Sequence, residues 1–285
     1  MTTLLVQLPG RHANQVMAYL SSQYLKERYG FRETRYSSTL TFMGASLVDH
    51  SSLMTRTDVI RCGLARRHAL TGHLLSDDKV KLLLRNDVAF AKGFFQRSEY
   101  FYDPFRAFFE ERGRWARSHS VDVPDLTVHV RGGDVWRTRR RRRVHPDYPA
   151  LPLSYYRQIR DATNWKRVKV VTDDPQHVYT RAVAQVFKAE VQSSSREADL
   201  IELACARNLV LSVSTYALLG ALASRAERVF YPHVGLFDSE RQSCARGAET
   251  PQLIPASRSD FTPVAAATAD PWCGSQADLA YLLNN

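Results

Sequence analysis

The second half of the chain alternates between two hydrophobic patterns. Short runs of β-branched and other apolar residues, such as Leu126-Thr127-Val128-His129-Val130, are followed by stretches in which apolar residues recur every three or four positions. The first pattern predicts buried strands at 126–130, 167–172, 209–213 and 228–231, and the second predicts helices between them. Strands that alternate with helices predict a parallel sheet with helices on both faces.

The first half begins with the same pattern. Residues 4–8 form an apolar run, and Val16, Leu20 and Tyr24 then fall on one face of a helix. A strand, a turn and a helix are therefore predicted at the start of the chain as well.

The middle of the chain is less regular. Residues 35–87 mix short apolar runs with polar residues and predict no defined element, whereas a helix is predicted at 104–118. Pro124 marks a hinge between two halves, so we predict an α/β protein of two domains, 1–123 and 124–285.

Polar residues follow three of the predicted strands of the second half. They are His129, Arg131 and Asp134 at the first strand, Asp173 and Asp174 at the second, and Ser212, Ser214 and Thr215 at the third. Gly132, beside Arg131, lets the backbone bend sharply and a ligand approach closely. The carboxyl ends of parallel strands lie at one edge of the sheet, which is where open α/β sheets bind ligands. We expect these residues to lie close together.

Their chemistry favours a nucleotide diphosphate. Arg131 offers a planar, permanently charged fork for phosphate oxygens, and His129 shares its strand face. The helix that follows Ser214 and Thr215 presents backbone N–H groups and partial positive charge. Helix capping alone explains each Ser, Thr or Asp separately, but it does not explain why Arg131 joins them.

The first strand is followed by Arg11, His12, Asn14 and Gln15. Asn14 either caps the helix, which is the commoner role of Asn there, or faces a cleft together with Arg11, His12 and Gln15. The aromatic segment 94–101 leaves a similar choice between core packing and the lining of a sugar site.

The formal net charge is +10, which favours an anionic partner. Six arginines in the segment 137–143 account for six of these charges: Arg137, Arg139, Arg140, Arg141, Arg142 and Arg143. The run is either a solvated loop or a docking site for an anionic glycan or membrane surface. Specific nucleic-acid binding is not predicted, because the run lacks interleaved aromatic residues.

The sequence carries neither a metal-binding nor a membrane-spanning pattern. Its four cysteines, Cys62, Cys205, Cys244 and Cys273, form no CxxC pair, and no apolar run reaches membrane length. The N-terminus lacks the basic segment of a signal peptide. We therefore expect a soluble, cytoplasmic protein with no bound metal.

Five segments, in order, resemble motifs of the α-1,2-fucosyltransferase family and its wider superfamily. They are Gly10-Arg11-His12-Ala13-Asn14-Gln15, Gly93-Phe94-Phe95-Gln96-Arg97-Ser98-Glu99-Tyr100-Phe101, His129-Val130-Arg131-Gly132-Gly133-Asp134, Val171-Thr172-Asp173-Asp174, and the block from Asp199-Leu200 to Ser212-Val213-Ser214-Thr215-Tyr216. The resemblance implies a GT-B fold, with two Rossmann-like domains that face a cleft. It also implies inverting transfer of fucose from GDP-fucose to a glycan hydroxyl, without a metal or another cofactor.

The resemblance also implies roles for single residues. Arg131 would hold the β-phosphate with His129 in the same pocket, and Ser214 and Thr215 would bind phosphate. Asp173 would contact the nucleoside. Asn14 and Gln15 would lie near the transferred sugar or the acceptor.

Two features leave the reaction open. The family's second Arg is Gly132 here, so another GDP- or UDP-sugar stays an alternative donor. Asp134, His145 and Asp147 are alternative general bases. The absence of a membrane anchor favours a bacterial or viral enzyme of surface glycan synthesis. A non-catalytic, basic polyanion-binding protein is the alternative from another class.

Overall fold

A computed structural model describes residues 2–65, 69–70, 77–93, 95–119, 122–136, 147–238, 252–267 and 273–285, apart from the side chains of 62–65, Lys79 and Asp134. The chain divides into two compact units. The first unit is Met1–Arg106 with Ala245–Pro255, and the second is Ala107–Cys244 with Ala256–Asn285. The domain boundary at Pro124, between residues 1–123 and 124–285, stays a prediction.

The first unit contains a three-stranded parallel sheet. Its order is β2-β1-β5, with β1 at Thr3–Val6, β2 at Glu33–Tyr36 and β5 at Val88–Ala91. All four residues of β1 are buried, because this strand lies between the other two. Helix α1, His12–Tyr29, connects β1 to β2 and contributes Val16, Met17 and Leu20 to the core.

The segment without a predicted element holds a hairpin and two helices. Strands β3, Leu40–Phe42, and β4, Ala45–Val48, are antiparallel, and Met43 and Gly44 between them both have positive φ. After α1, the α-helices described in this unit are α2, Arg56–Ala65, α3, Asp77–Leu83, and α4, Ser98–Phe101.

The second unit contains a six-stranded parallel sheet of order β11-β10-β9-β6-β7-β8. Its strands are β6, Leu126–Val130, β7, Val168–Thr172, β8, Glu190–Gln192, β9, Asn208–Val210, β10, Arg228–Pro232, and β11, Phe261–Val264. Its helices are α6, Leu153–Ala162, α7, Val178–Phe187, α8, Arg196–Cys205, α9, Thr215–Ala223, and α10, Gln276–Asn284, with α5, Arg106–His119, at the start of the unit.

The strand order of the second unit decides where a ligand can bind. From β6 the chain adds β7 and β8 on one side, then returns to place β9, β10 and β11 on the other side. This is the order of doubly wound dinucleotide-binding sheets, in which ligands bind where the order reverses. The reversal lies between β6 and β9, which pair directly. The predicted α/β class with parallel sheets is confirmed.

Asp174 and Asn14, two residues of types that suit a helix N-cap, do not cap a helix. Helix α7 begins at Val178 and is capped by His177, whose ring accepts the Tyr179 N–H, because Asp174 is engaged in the turn after β7. The Asp174 N–H donates to Thr172 Oγ1 at 3.1 Å. Helix α1 has Arg11 at its N-cap, where its side chain makes no capping bond, and Asn14 lies inside the helix.

None of the helices described is both long and apolar enough to cross a lipid bilayer.

Candidate functional site

Arg131, directly after β6, is held from two directions. Its Nη1 donates to the Val213 carbonyl at 3.1 Å, and its guanidinium carbon lies 4.1 Å from the centre of the Tyr148 ring. Stacking on an aromatic face and bonding to a carbonyl both fix the plane of the guanidinium. The side chain is half-buried. The positive charge of Arg131 therefore lies beside the carbonyl of Val213, two residues before the start of α9.

His129 lies on the same strand face and is buried. Its Nδ1 is 2.7 Å from Ser212 Oγ, which connects the end of β6 to the segment after β9. Burial, and then the nearby charge of Arg131, lower the pKa of His129 to about 3. The imidazole is therefore neutral at physiological pH, and it positions Ser212 without adding charge to the site.

Gly132 lies against the end of β7. Its N–H donates to Asp173 Oδ1 at 2.8 Å, and a Cβ at this position would be 2.4 Å from Asp174 Cβ. Non-bonded carbon atoms do not approach each other so closely, so this backbone turn requires glycine. Gly133 adds a positive φ of 41°. Asp173 and Asp174 lie directly beside Gly132 and bring the ends of β6 and β7 together.

The start of α9 presents open backbone N–H groups at the same edge of the sheet. Ser214 is the N-cap: its Oγ accepts the Ala217 N–H at 3.4 Å, and its carbonyl accepts the Leu218 N–H at 3.1 Å. Among the residues that the structure describes, the N–H groups of Thr215 and Tyr216 have no acceptor. Unsatisfied N–H groups and the helix dipole together favour an anion at this end.

Asp199 and Tyr216 lie next to this edge and were not predicted as functional. Asp199 is buried in the first turns of α8 and accepts the Ser194 N–H at 3.1 Å, and its burial raises the pKa of the carboxyl. The Tyr216 hydroxyl donates to the Arg196 carbonyl, and burial raises its pKa too. The Tyr216 ring is 6.0 Å from that of His129, centre to centre. Tyr216 thereby connects the start of α9 to the start of α8 and to His129.

Tyr148 was also missed by the sequence analysis. It lies far from any predicted strand end, and nothing in the local pattern marks it. Only the folded chain shows that its ring contacts Arg131. Trp136 is a second such residue, and it stacks on His177 with ring centres 4.8 Å apart. The ring of Trp136 therefore links the turn after β6 to the start of α7.

Several predicted residues are not tested by this geometry. The side chain of Asp134, together with His145 and the arginine run 137–143, lies outside the described residues. Asp147 is buried, and its carbonyl accepts the Leu236 N–H at 3.0 Å. The general base stays open among Asp134, His145 and Asp147.

Asn14 and Gln15 lie in the first unit, at the carboxyl end of β1. Asn14 Oδ1 accepts from Gln96 Nε2 at 3.0 Å, and Gln15 Nε2 donates to the Gly10 carbonyl at 3.3 Å. Gln96 is buried. These bonds show that Asn14 ties the end of β1 to the aromatic segment after β5.

Within the described part of the chain, no three His, Cys, Asp or Glu side chains are grouped as metal ligands would be.

No family model and no curated protein matches the sequence. Among solved structures, the chain is similar to the Escherichia coli heptosyltransferase WaaC with ADP (12% identity over 99% of this chain and 98% of that one, TM-score 0.45). It is also similar to a variant of Arabidopsis thaliana FUT1 with GDP (10%, 81% and 70%, TM-score 0.45) and to POFUT1 with GDP-fucose (10%, 80% and 97%, TM-score 0.42). At these identities the likeness is one of fold alone. The resemblance to the α-1,2-fucosyltransferase family stays a prediction.

Proposed function

We propose that the chain is a glycosyltransferase that binds a nucleotide diphosphate sugar at the carboxyl edge of the second sheet. The observation that carries the proposal is the position of Arg131. Its guanidinium is fixed by the Val213 carbonyl and the Tyr148 ring immediately before the open N–H groups of α9. A fixed cation beside a helix N-terminus at the reversal of a doubly wound sheet suits a diphosphate.

The same groups suit the chemistry of glycosyl transfer. As the bond between the anomeric carbon and the diphosphate oxygen breaks, that oxygen gains negative charge. Arg131 and the N–H groups of Thr215 and Tyr216 stabilise this charge in place, which lowers the barrier. The acceptor hydroxyl attacks the anomeric carbon from the opposite face and passes its proton to a base, so the configuration inverts. No metal or other cofactor is needed in this scheme.

The proposed reaction is fucosyl transfer from GDP-fucose to a hydroxyl of a surface or glycoprotein glycan. The five motif resemblances support this donor, with Asp173 near the nucleoside. Gly132 stands where that family has its second Arg, and Asp174 lies too close to leave room for an arginine side chain there. Another GDP- or UDP-sugar is therefore the alternative donor.

The first test is thermal stabilisation by GDP, UDP, CDP and ADP in the presence of EDTA. A ligand that binds only the folded state raises the unfolding midpoint. We expect GDP to stabilise the wild type. The control variant Arg160→Ala, which removes an exposed arginine of α6, should bind GDP as the wild type does. The affinity of Arg131→Ala for GDP should fall about 10- to 100-fold, as expected for the loss of a charge-assisted hydrogen bond. Arg131→Lys, which keeps the charge but not the fork, should fall between them.

Each other outcome has a clear meaning. Unchanged affinity in Arg131→Ala contradicts the phosphate role of this residue. Selective stabilisation by UDP replaces GDP-fucose with a UDP-sugar as the donor. If no nucleotide stabilises the wild type, the transferase proposal fails, and the polyanion-binding alternative through the arginine run 137–143 gains support. Where GDP binds, release of GDP from GDP-fucose in the presence of glycan acceptors tests the transfer itself.

A further inference from the structure

We infer that the first unit contains a binding site for one neutral sugar unit of a glycan. A cavity of about 330 Å³ lies between α1, the edge strand β2, β4 and the turn after β4. It is lined by Tyr19, Gln23, Lys26, Glu33, Thr34, Arg35, Tyr36, Leu47, Ser51 and Ser52. Its volume is at the lower end of the range of small-molecule sites, which suits a single ring. The inference rests on the proposed function, because the ligand is taken to be a sugar of the acceptor.

The lining is a built surface and not a chance gap. Tyr19, Gln23 and Lys26 are spaced four and three residues apart, which places them on one face of α1. Tyr36, at the end of β2, closes the cavity beneath them, and its ring centre is 5.4 Å from that of Tyr19. The Tyr36 hydroxyl is bonded to Gln23 Nε2 at 2.5 Å, to Ser22 Oγ at 3.0 Å and to Thr34 Oγ1 at 3.2 Å.

Two polar groups of the lining have no partner within the described residues. They are the hydroxyl of Tyr19 and the ammonium group of Lys26, and both side chains are partly buried. Burial, with the neighbouring Tyr36, raises the pKa of Tyr19 to about 12, so its hydroxyl keeps its proton at physiological pH. A partly buried polar group of this kind takes ordered water or a ligand as its hydrogen-bond partner. A ligand in the cavity would supply one to each.

The charges of the lining favour a neutral ligand. Arg35 is already compensated, since it contacts Asp58 at 2.9 Å and Glu33 at 3.2 Å. Lys26 is then the one lining cation without an ion-pair partner in the described chain, and Glu33 opposes an anion nearby. The lining therefore mixes hydroxyls, an amide, a carboxylate and an ammonium group.

A sugar ring matches this mixture. Its hydroxyls donate to Glu33 and to the oxygen of Gln23 and accept from Lys26 and Tyr19, while its C–H face packs on an aromatic ring. An anion such as sulfate would use only the donors of the lining and would lie beside the negative charge of the Glu33 carboxylate. A neutral pyranose is thus the ligand that satisfies both kinds of group.

The test is ligand-observed saturation-transfer NMR with the methyl glycosides of glucose, galactose, mannose, N-acetylglucosamine and fucose. We expect at least one glycoside to bind the wild type. Tyr19→Phe and Lys26→Met each remove one unpartnered group with little change in shape, and each should weaken binding about two- to tenfold. Tyr281→Phe and Lys81→Met are matched controls on exposed helix positions outside the cavity, and they should bind as the wild type does.

The result that overturns the inference is the absence of binding by all five glycosides, or equal binding by wild type, Tyr19→Phe and Lys26→Met. Competition by sulfate at equal concentration also overturns it, because the site would then select anions. Nucleotide binding keeps the two proposals apart. If GDP stabilises the chain but no glycoside binds, the sugar site fails and the donor site stands. Glycoside binding without any nucleotide binding leaves the reverse.

Discussion

The state of His129 determines which residue carries the positive charge of the candidate site. Its imidazole is buried against Ser212, and its pKa of about 3 keeps it neutral. Arg131 alone of this pair is therefore cationic at neutral pH. His129 acts as a fixed hydrogen-bonding group that positions the segment leading into α9.

This burial gives the stability of the protein a specific pH dependence. Well above pH 6.5 the imidazole of His129 binds no proton in either the folded or the unfolded chain. Between pH 6.5 and about 3 only the unfolded chain binds one, so the free energy of unfolding falls as the pH falls. At pH 5 the expected loss from His129 is about 2 kcal/mol. His129→Asn, which keeps a bonding group for Ser212, should flatten the curve between pH 7 and 5 by that amount.

The measurement is denaturant unfolding of wild type and variants at several pH values. His50→Gln removes an exposed imidazole and should leave the slope as in the wild type. Equal slopes in His129→Asn and wild type would mean that His129 titrates alike in both states, against the burial described above.

Sequence patterns predicted part of the site because strand ends converge. His129, Arg131, Asp173 and Ser214 were all placed at strand ends by their patterns, and the structure places them at one edge. The contact of Tyr148 with Arg131 was not predictable, since it depends on the path of the chain. Nor did a pattern show that Asp173 accepts the Gly132 N–H.

At the scale of elements, α9 is held in place by two close approaches. A Cβ on Gly220 would lie 2.6 Å from Leu203 Cβ of α8, and one on Gly113 of α5 would lie 1.9 Å from the Ala223 carbonyl oxygen. Both glycines let neighbouring helices touch α9 directly. The start of this helix is thereby fixed relative to the sheet.

Gly220→Ala tests this packing through the sign of its effect. Helix propensity alone would raise the stability by about 1 kcal/mol, whereas overpacking costs about 1–3 kcal/mol. We expect a net loss of about 1 kcal/mol in denaturant unfolding, together with weaker GDP binding as α9 moves. Ala280→Gly, at an exposed position of α10, measures the propensity effect in this chain. A gain in stability in Gly220→Ala would show that α8 and α9 separate without cost.

The elements that sequence patterns predicted are those with one clear period. Strands β6, β7 and β10 are apolar runs in the interior of the sheet and were found close to their limits. The edge strands β8 and β11 were missed, because their side chains are partly exposed and Pro263 interrupts β11. The hairpin of β3 and β4 was missed because its strands are only three and four residues long, too short to show a clear period.

The strand order of the second sheet is the main feature of the fold that the sequence patterns did not predict. The patterns predicted parallel strands with polar ends, but pairing of β6 with β9 arises only from packing. That pairing turns separate polar strand ends into one candidate donor site in the second unit. The inferred sugar cavity lies wholly in the first unit, so the two sites depend on different residues.

Hydrogen exchange measured by mass spectrometry can resolve the two sites in one experiment. GDP should slow exchange in peptides that cover 131–136, 173–177 and 213–218, by a factor that grows with its concentration relative to the dissociation constant. A bound methyl glycoside should instead protect peptides covering 19–26, 33–36 and 47–52. Arg131→Ala should abolish only the GDP effect, and Lys26→Met should reduce only the glycoside effect. Protection of the 19–26 peptides by GDP alone would contradict the assignment of the donor to the second unit.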